Sequence, residues 1–151
     1  MKRLILGIIL ILVASSAFAQ QQFLYSAKFI CGRTSAAEPA AFAFAPGAYF
    51  TSINVKNFSN TNITVQKRFS IGHFDEVPGQ LSAFFAMPAP PSRTEEIECR
   101  SIYAHLNMPV GTFIEGYVEI RSPLELDVEG IYTLQSGTSV AMHMERVPKR
   151  P

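Results

Sequence analysis

Apolar residues recur at every second position along most of this chain, and this period limits what it can fold into. In the segment 22–32 one set of apolar residues shares a face, while Ser26 and Lys28 occupy the other. The apolar set is Phe23, Tyr25, Ala27, Phe29 and Cys31. A period of two places side chains on alternate faces of a β-strand, whereas a helix requires spacings of three and four. The chain is therefore predicted to be mostly β, with at most one short helix near residues 100–106, ended by Pro109.

Turn residues divide the alternating segments into about seven short strands. Pro46-Gly47 and Ser136-Gly137 are examples of such turns. This pattern predicts an all-β fold, a two-sheet antiparallel β-sandwich, with a small open barrel as the alternative. The segments 48–57 and 63–71 form the clearest hairpin-like pair, and Lys67 interrupts the apolar row of the second one. That interruption predicts a bulge or an edge position at Lys67.

Residues 72–93 read as irregular. Pro88, Pro90 and Pro91 exclude a central strand there and favour an extended connection between sheets. The Ala-rich segment 34–45 reads as a loop, and its role is not indicated by the sequence. The same holds for the Pro-rich segment 88–91.

The first 19 residues have the pattern of a secretory signal peptide. Lys2 and Arg3 form a short cationic region, residues 4–13 are apolar, and Ala17-Phe18-Ala19 fits the small-x-small cleavage pattern. The alternative is a retained N-terminal anchor. Cleavage after Ala19 would leave one domain, residues 20–151, with no transmembrane segment, in a secreted or periplasmic location.

The charge balance argues against nucleic acid as a partner. Without Lys2 and Arg3, eleven of the 13 lysines and arginines remain against 12 acidic residues, a net charge close to −1. Binding to a phosphate backbone requires a basic patch, and the sequence has none beyond the terminal Pro148–Pro151. The expected partner is therefore a protein or a second copy of the chain.

Cys31 and Cys99 are the two cysteines of the chain. An even number in an exported protein indicates a disulfide. Two alternatives are a pair of buried free thiols and a reactive cysteine. A reactive cysteine needs a histidine beside its thiolate, and His105 lies six residues beyond Cys99.

The segment 113–132, FIEGYVEIRSPLELDVEGIY, carries five carboxylates that alternate with aliphatic residues. Glu115 and Glu119 share a face with Phe113 and Tyr117, and the other acids lie opposite a second aliphatic row. The other acids are Glu125, Asp127 and Glu129. This alternation is typical of a half-buried antiparallel sheet with one wet face. A three-residue turn at 122–124 would place Arg121 opposite Glu125 and Glu119 opposite Asp127.

No compact catalytic or metal-binding motif is present. A glycosidase needs one protonated acid in an apolar pocket beside an ionised one, and acids along a wet face lack that asymmetry. His73, Asp75 and Glu76 form the only local cluster of possible metal ligands, but their spacing matches no zinc signature. We therefore expect no catalytic residues, no metal and no cofactor. Asn57 and Asn62 begin glycosylation sequons, which in this Asn-rich segment we interpret as turn chemistry.

Four segments resemble a group of small, uncharacterised bacterial secreted proteins. They are FICG, PGAYFTSINVKN, EEIEC and GYVEIRSPLELDVEGIYT, and together they cover about half of residues 20–151. The strand order is also loosely similar to the β-sandwich transducer that accompanies some sensory rhodopsins. The resemblance implies export and a compact β-sandwich, and it implies no activity and no functional residue.

The resulting hypothesis is an exported, non-enzymatic module that binds a protein or belongs to an envelope assembly. Phe113 and Tyr117, if they face outward, form a possible contact surface or dimer interface. One alternative is a carbohydrate- or small-ligand-binding module that uses Tyr and Phe, which the absence of Trp disfavours. A second alternative is a hydrolase with dispersed carboxylates.

Overall fold

The computed structural model describes residues 22–37, 44–73 and 77–151. The predicted signal peptide, residues 38–43 of the Ala-rich loop, and Asp75 and Glu76 lie outside the described residues. The described elements are nine strands and one helix. They are β1 (Phe23–Thr34), β2 (Gly47–Lys56), β3 (Ile63–Gly72), β4 (Pro78–Leu81), β5 (Phe85–Ala89), β6 (Thr94–Glu98), α1 (Cys99–Leu106), β7 (Ile114–Ser122), β8 (Asp127–Ser136) and β9 (Ser139–Arg146).

The strands form one antiparallel hydrogen-bonded sheet that β1 divides into two halves. Its order is β4-β3-β7-β1-β2-β8-β9, with β5 beside β3 and β6 beside β2. Residues Phe23–Cys31 of β1 pair with β7, and residues Gly32–Thr34 pair with β2. Gly32 has φ +98°, and a Cβ there would collide with the Thr112 carbonyl. Glycine is therefore required where β1 passes from one half to the other.

Both halves of the sheet contribute side chains to one core. The fully buried residues include Phe29, Ile53, Val65, Phe69, Ile97, Val118, Ile120 and Val128. The Tyr25 hydroxyl links the halves, because it donates to the Leu126 carbonyl (3.0 Å) and accepts from the Leu126 N–H (2.8 Å). Helix α1 adds Ile102, Tyr103 and Leu106 to the same core.

The predicted all-β antiparallel fold is confirmed, and so is the short helix, which spans Cys99–Leu106. The strand count differs from the expected seven because β4 and β5 lie in the segment interpreted as irregular. Pro88 belongs to β5 and pairs with Thr64 of β3. β5 pairs with β3 and with no other described strand, so Pro88 occupies an edge strand, where proline is tolerated. The two halves are also continuous through β1, where two separate sheets were expected.

Two pairings inferred from neighbouring segments are wrong. β2 does not form a hairpin with β3, because β2 pairs with β1, β6 and β8 and β3 with β4, β5 and β7. β7 does not pair with β8 either. Arg121 lies opposite Leu24 and Gln66, and Glu119 lies opposite Ser26 and Arg68. Strands that follow each other in the chain were assumed to be neighbours, whereas here they lie in different halves of the sheet.

Lys67 is neither at an edge nor at a bulge. It lies between Ile120 of β7 and Phe85 of β5, and only 7% of it is exposed. The register irregularity along β3 lies instead between Ser70 and Gly72, where two residues of β4 stand against Ile71 of β3. Burial lowers the pKa of Lys67 below its usual 10.5, and the charge of Glu95 partly opposes this shift.

We expect Lys67→Met to raise the free energy of unfolding at pH 7 by about 1 kcal/mol, because it removes a buried charge. At neutral pH the buried charge destabilises the folded state to its full extent. This destabilisation declines as pH rises through the lowered pKa toward 10.5, because Lys67 then loses its charge. Urea unfolding at pH 7 and pH 10 should therefore show a smaller difference between variant and wild type at pH 10. Lys56→Met, on the outer face, is the control. A Lys67→Met protein less stable than wild type at pH 7 would contradict this account.

Candidate functional site

The acids of the segment 113–132 are held in ion pairs. On the outer face of the β1–β7–β3 half, Glu115 pairs with Lys28, and Glu119 accepts two hydrogen bonds from Arg68 (2.8 and 2.9 Å). Two further pairs lie near the start of β8. They are Asp127 with Arg146 (2.8 Å) and Glu125 with Lys149 (3.2 Å). Four of the five acids are thus neutralised by neighbouring cations.

Glu115 and Glu119 are too far apart along β7 for a glycosidase pair. Glu115 and Glu119 are four residues apart on one strand, which separates their Cα atoms by about 13 Å. Catalytic carboxyl groups of glycosidases lie about 5 to 10 Å apart. Within the described residues, no group of three or more His, Cys, Asp or Glu side chains could hold a metal ion. His73 is described, whereas Asp75 and Glu76 of the same cluster are not.

Phe113 and Tyr117 lie in different environments. Phe113 is half-buried, with its ring 5.1 Å from Phe44 and 5.7 Å from Tyr49, measured between ring centroids. Tyr117 is 44% exposed, and the Lys28 Nζ lies 5.4 Å from its ring centroid. The contact surface expected at these two residues stays a prediction.

The predicted disulfide between Cys31 and Cys99 is present, with Cα atoms 5.6 Å apart. It joins β1, one residue before Gly32, to the first residue of α1. Neither residue is therefore a free thiol, which removes the reactive-cysteine alternative.

A row of exposed apolar side chains lies on β9, the last described strand. All eight residues of β9 are exposed, and β9 pairs only with β8 among the described strands. Val140, Met142 and Met144 point to one face and are 62–68% exposed. Thr133 of β8 lies opposite Met142, and Phe50 of β2 lies opposite Thr133. The same face of the sheet therefore continues to Phe50, which is 51% exposed. We call the four side chains of Phe50, Val140, Met142 and Met144 the β9 row.

The β9 row has the size and setting of a contact surface. Its four side chains expose roughly 400 Å² of apolar area, within the range of functional patches on monomers. An edge strand also presents unpaired N–H and C=O groups, which most proteins protect with proline, lysine or a covering element. Residues 139–146 contain neither proline nor lysine.

The opposite face of the hairpin is held by polar contacts. The Tyr132 hydroxyl donates to Glu145 Oε1 (2.8 Å), and the His143 ring stacks on Tyr132 at 6.1 Å. Burial first, and then Glu145, raises the pKa of Tyr132, so this hydroxyl stays protonated as a donor. These contacts fix the orientation of β9 and hence of the β9 row.

A groove of about 470 Å³ adjoins the β9 row and includes Phe50. On one side of β2, β1 pairs with residues 47–49 and β6 pairs with residues 52–56, and the groove lies at the junction between these two pairings. Between these two pairings, the Thr51 side chain makes the hydrogen bonds to β1 that a backbone partner would otherwise make. Its hydroxyl donates to the Ile30 carbonyl and accepts from the Ile30 N–H, both at 2.9 Å. Arg33, Arg100, Glu96, Glu98 and Tyr103 are among the lining residues.

The sequence indicated part of this surface. In the sequence, the alternation of residues 139–146 places Val140, Met142 and Met144 on one face and His143 on the other, and the structure has the same arrangement. The alternation did not predict that the face is uncovered. The exposure follows from the strand order, in which β9 lies beside β8 alone among the described strands.

Comparison with known proteins yields a fold relationship alone. No protein-family model matches the chain. No curated protein matches it either. Among solved structures, the crystal structure of Thermotoga maritima 1070 is similar, with a TM-score of 0.52 and 8% sequence identity, covering 84% of this chain and 91% of that one. Among the described residues, no helix is long and apolar enough to cross a membrane.

Proposed function

We propose that this chain is an exported, non-enzymatic protein-binding module that pairs an extended segment of a partner with β9. The observation that carries this proposal is the β9 row together with the unpaired edge of β9. Strand addition uses main-chain hydrogen bonds for affinity and alternate side chains for specificity. An added strand would extend the sheet beyond β9 and place every second side chain against Met142 and Met144.

The partner is an envelope protein or a second copy of the chain. A symmetric antiparallel pairing of two copies centred on His143 would place Met142 of each copy opposite Met144 of the other. Directly opposed residues point to the same face of an antiparallel sheet, so this register keeps both apolar rows together. A standard interface buries about 800 Å² per partner, so contacts of the β9 backbone and its polar flanks must add to those of the β9 row.

The proposed location is the periplasm or the exterior. The signal-peptide pattern of residues 1–19 supports this, and so does the disulfide, which persists in oxidising compartments. N-terminal sequencing of the secreted or periplasmic form should begin at Gln20. Retention of Met1 in a cytoplasmic fraction would contradict export.

The test is to combine Met142→Lys with Met144→Lys, with Leu81→Lys as the matched control. Leu81 is 56% exposed on β4, a different strand of the sheet from β9. Capture from native envelope extract and sedimentation from about 1 to 100 µM would report a partner and self-association, respectively. We expect wild type and Leu81→Lys to bind a partner or dimerise, and the double variant to lose at least about tenfold in affinity. A wild-type protein that stays monomeric and captures nothing would contradict the proposal.

A second candidate is a small-ligand-binding module, which the groove beside β2 favours. It combines the aromatic residues Tyr49, Phe50 and Tyr103 with Arg33 and Arg100. Neither arginine side chain forms an ion pair with a described residue, so both remain available to a ligand. Binding on a glycan array that Phe50→Ala abolishes would support it, and silence on the array would remove it.

A further inference from the structure

Arg121 carries a charge that no described acidic residue neutralises. Its guanidinium Cζ lies 4.1 Å from the centroid of the Phe84 ring, and Arg68 Cζ lies 4.6 Å from the same centroid. Arg68 is compensated by its two hydrogen bonds to Glu119. Arg121 forms no ion pair with the described part of the chain, and its Nε is buried without a hydrogen-bond partner.

An unsatisfied nitrogen of this kind needs an explanation. Buried polar groups almost always have a partner, and one left unpaired costs about 1 to 3 kcal/mol. Stacking on Phe84 holds the guanidinium plane in place but satisfies none of its N–H groups. Arg121 is therefore held in position by the ring while its Nε–H is unpaired and its charge is not neutralised by a described acid, as in a preorganised anion-binding group.

Arg121 lines a cavity of about 540 Å³ near the end of β7. Its other polar lining residues are uncharged amides and alcohols: Gln22, Thr61, Asn62, Thr64, Gln66 and Ser122. Gln66 lies directly opposite Arg121 on β3. Ile63, Pro123 and Leu124 supply an apolar part.

This composition selects one ligand chemistry. A single guanidinium, with no second cation in the lining, matches a singly charged anion better than a phosphate dianion. The fork of N–H donors fits the two oxygens of a carboxylate. The amides and alcohols around it can donate to and accept from hydroxyl groups. We propose that this cavity binds a small hydroxylated carboxylate, of the sugar-acid class, with Arg121 holding the carboxylate and Gln66 an adjacent hydroxyl.

The site is independent of the β9 row, because it lies in the other half of the sheet. β3 and β7 belong to the half that pairs with Phe23–Cys31 of β1, whereas β9 belongs to the half beyond β2. Loss of ligand binding here would therefore leave partner binding at β9 unchanged.

The test is isothermal titration of the purified protein with four probes: glucuronate, glucose, acetate and inorganic phosphate. We expect glucuronate to bind with a Kd of about 10 mM or lower. Acetate and phosphate should bind more weakly than glucuronate, and glucose should bind most weakly. Arg121→Gln should weaken glucuronate binding at least about tenfold, and Arg121→Lys should restore part of it. Arg93→Gln, at an exposed turn residue outside the cavity, is the matched control and should bind as wild type.

A second variant keeps the test valid if Arg121→Gln does not fold. Gln66→Leu leaves the stack of Arg121 on Phe84 in place and should weaken glucuronate binding several-fold, with unchanged binding of acetate. The proposal is overturned if glucuronate does not bind, or if phosphate or glucose binds as tightly. It is equally overturned if glucuronate affinity is the same in wild type, Arg121→Gln and Gln66→Leu.

Discussion

Replacing Cys31 and Cys99 together with serine lowers the free energy of unfolding by about 4 kcal/mol. The disulfide closes a loop between residues 68 positions apart, and its removal releases that constraint from the unfolded chain. The bond also lies where β1 crosses between the halves of the sheet, and the Thr51 N–H contacts Cys99 Sγ at 3.1 Å. Urea unfolding monitored by far-UV circular dichroism measures the difference.

The control for this prediction is the reduced wild-type protein, which should unfold at the same urea concentration as the double serine variant. Equal stability of the variant and the oxidised wild type would contradict the prediction. A loss seen in the variant but not on reduction would show that the serine side chains, and not the missing bond, are responsible.

The second large effect is expected at Asn57, where alanine lowers the free energy of unfolding by about 3 kcal/mol. Asn57 is fully buried, and its Nδ2 donates to the carbonyls of Thr61 (2.9 Å) and Ala89 (2.8 Å). Its Oδ1 accepts from the Ser59 N–H (2.9 Å) and the Ser59 hydroxyl (2.7 Å). Alanine would remove four hydrogen bonds and leave the buried Ala89 carbonyl without this donor.

Asn60→Ala is the matched control for Asn57→Ala, because Asn60 is an exposed asparagine of the same turn. Its stability should lie within about 0.5 kcal/mol of wild type in the same urea experiment. An equal effect of the two substitutions would contradict a specific role for Asn57. The burial of Asn57 also agrees with the interpretation of its sequon as turn chemistry, because the folded protein hides the nitrogen to which a glycan would attach.

Local alternation was sufficient to assign the two faces of β7. Ile114, Val118 and Ile120 are buried, and Glu115 and Glu119 lie on the other face, as the spacing indicated. Alternation carries no information about which strands are neighbours. The segments before and after Ser122-Pro123 were therefore paired with each other, although β7 lies between β1 and β3.

The candidate sites depended on contacts that no single segment contains. The stack of Arg121 and Arg68 on Phe84 joins β7, β3 and the connection before β5, and no spacing pattern relates these residues. Lys67 looked like an interruption of an apolar row, but the structure buries it in the middle of β3, with its Nζ 5.9 Å from the centroid of the Phe69 ring. The exposure of Met142 and Met144 likewise depends on what covers β9, which a period of two cannot show.

The exposed edge of β9 is the central feature of the proposed function, and amide hydrogen exchange tests it most directly. The measurement compares the β9 amides in the free protein with those in the complex recovered by capture or at dimerising concentration. Strand addition predicts that alternate β9 amides, those pointing away from β8, exchange freely in the free protein and become protected in the complex. Unchanged exchange along β9, with new protection around Tyr117 or elsewhere, would contradict the account.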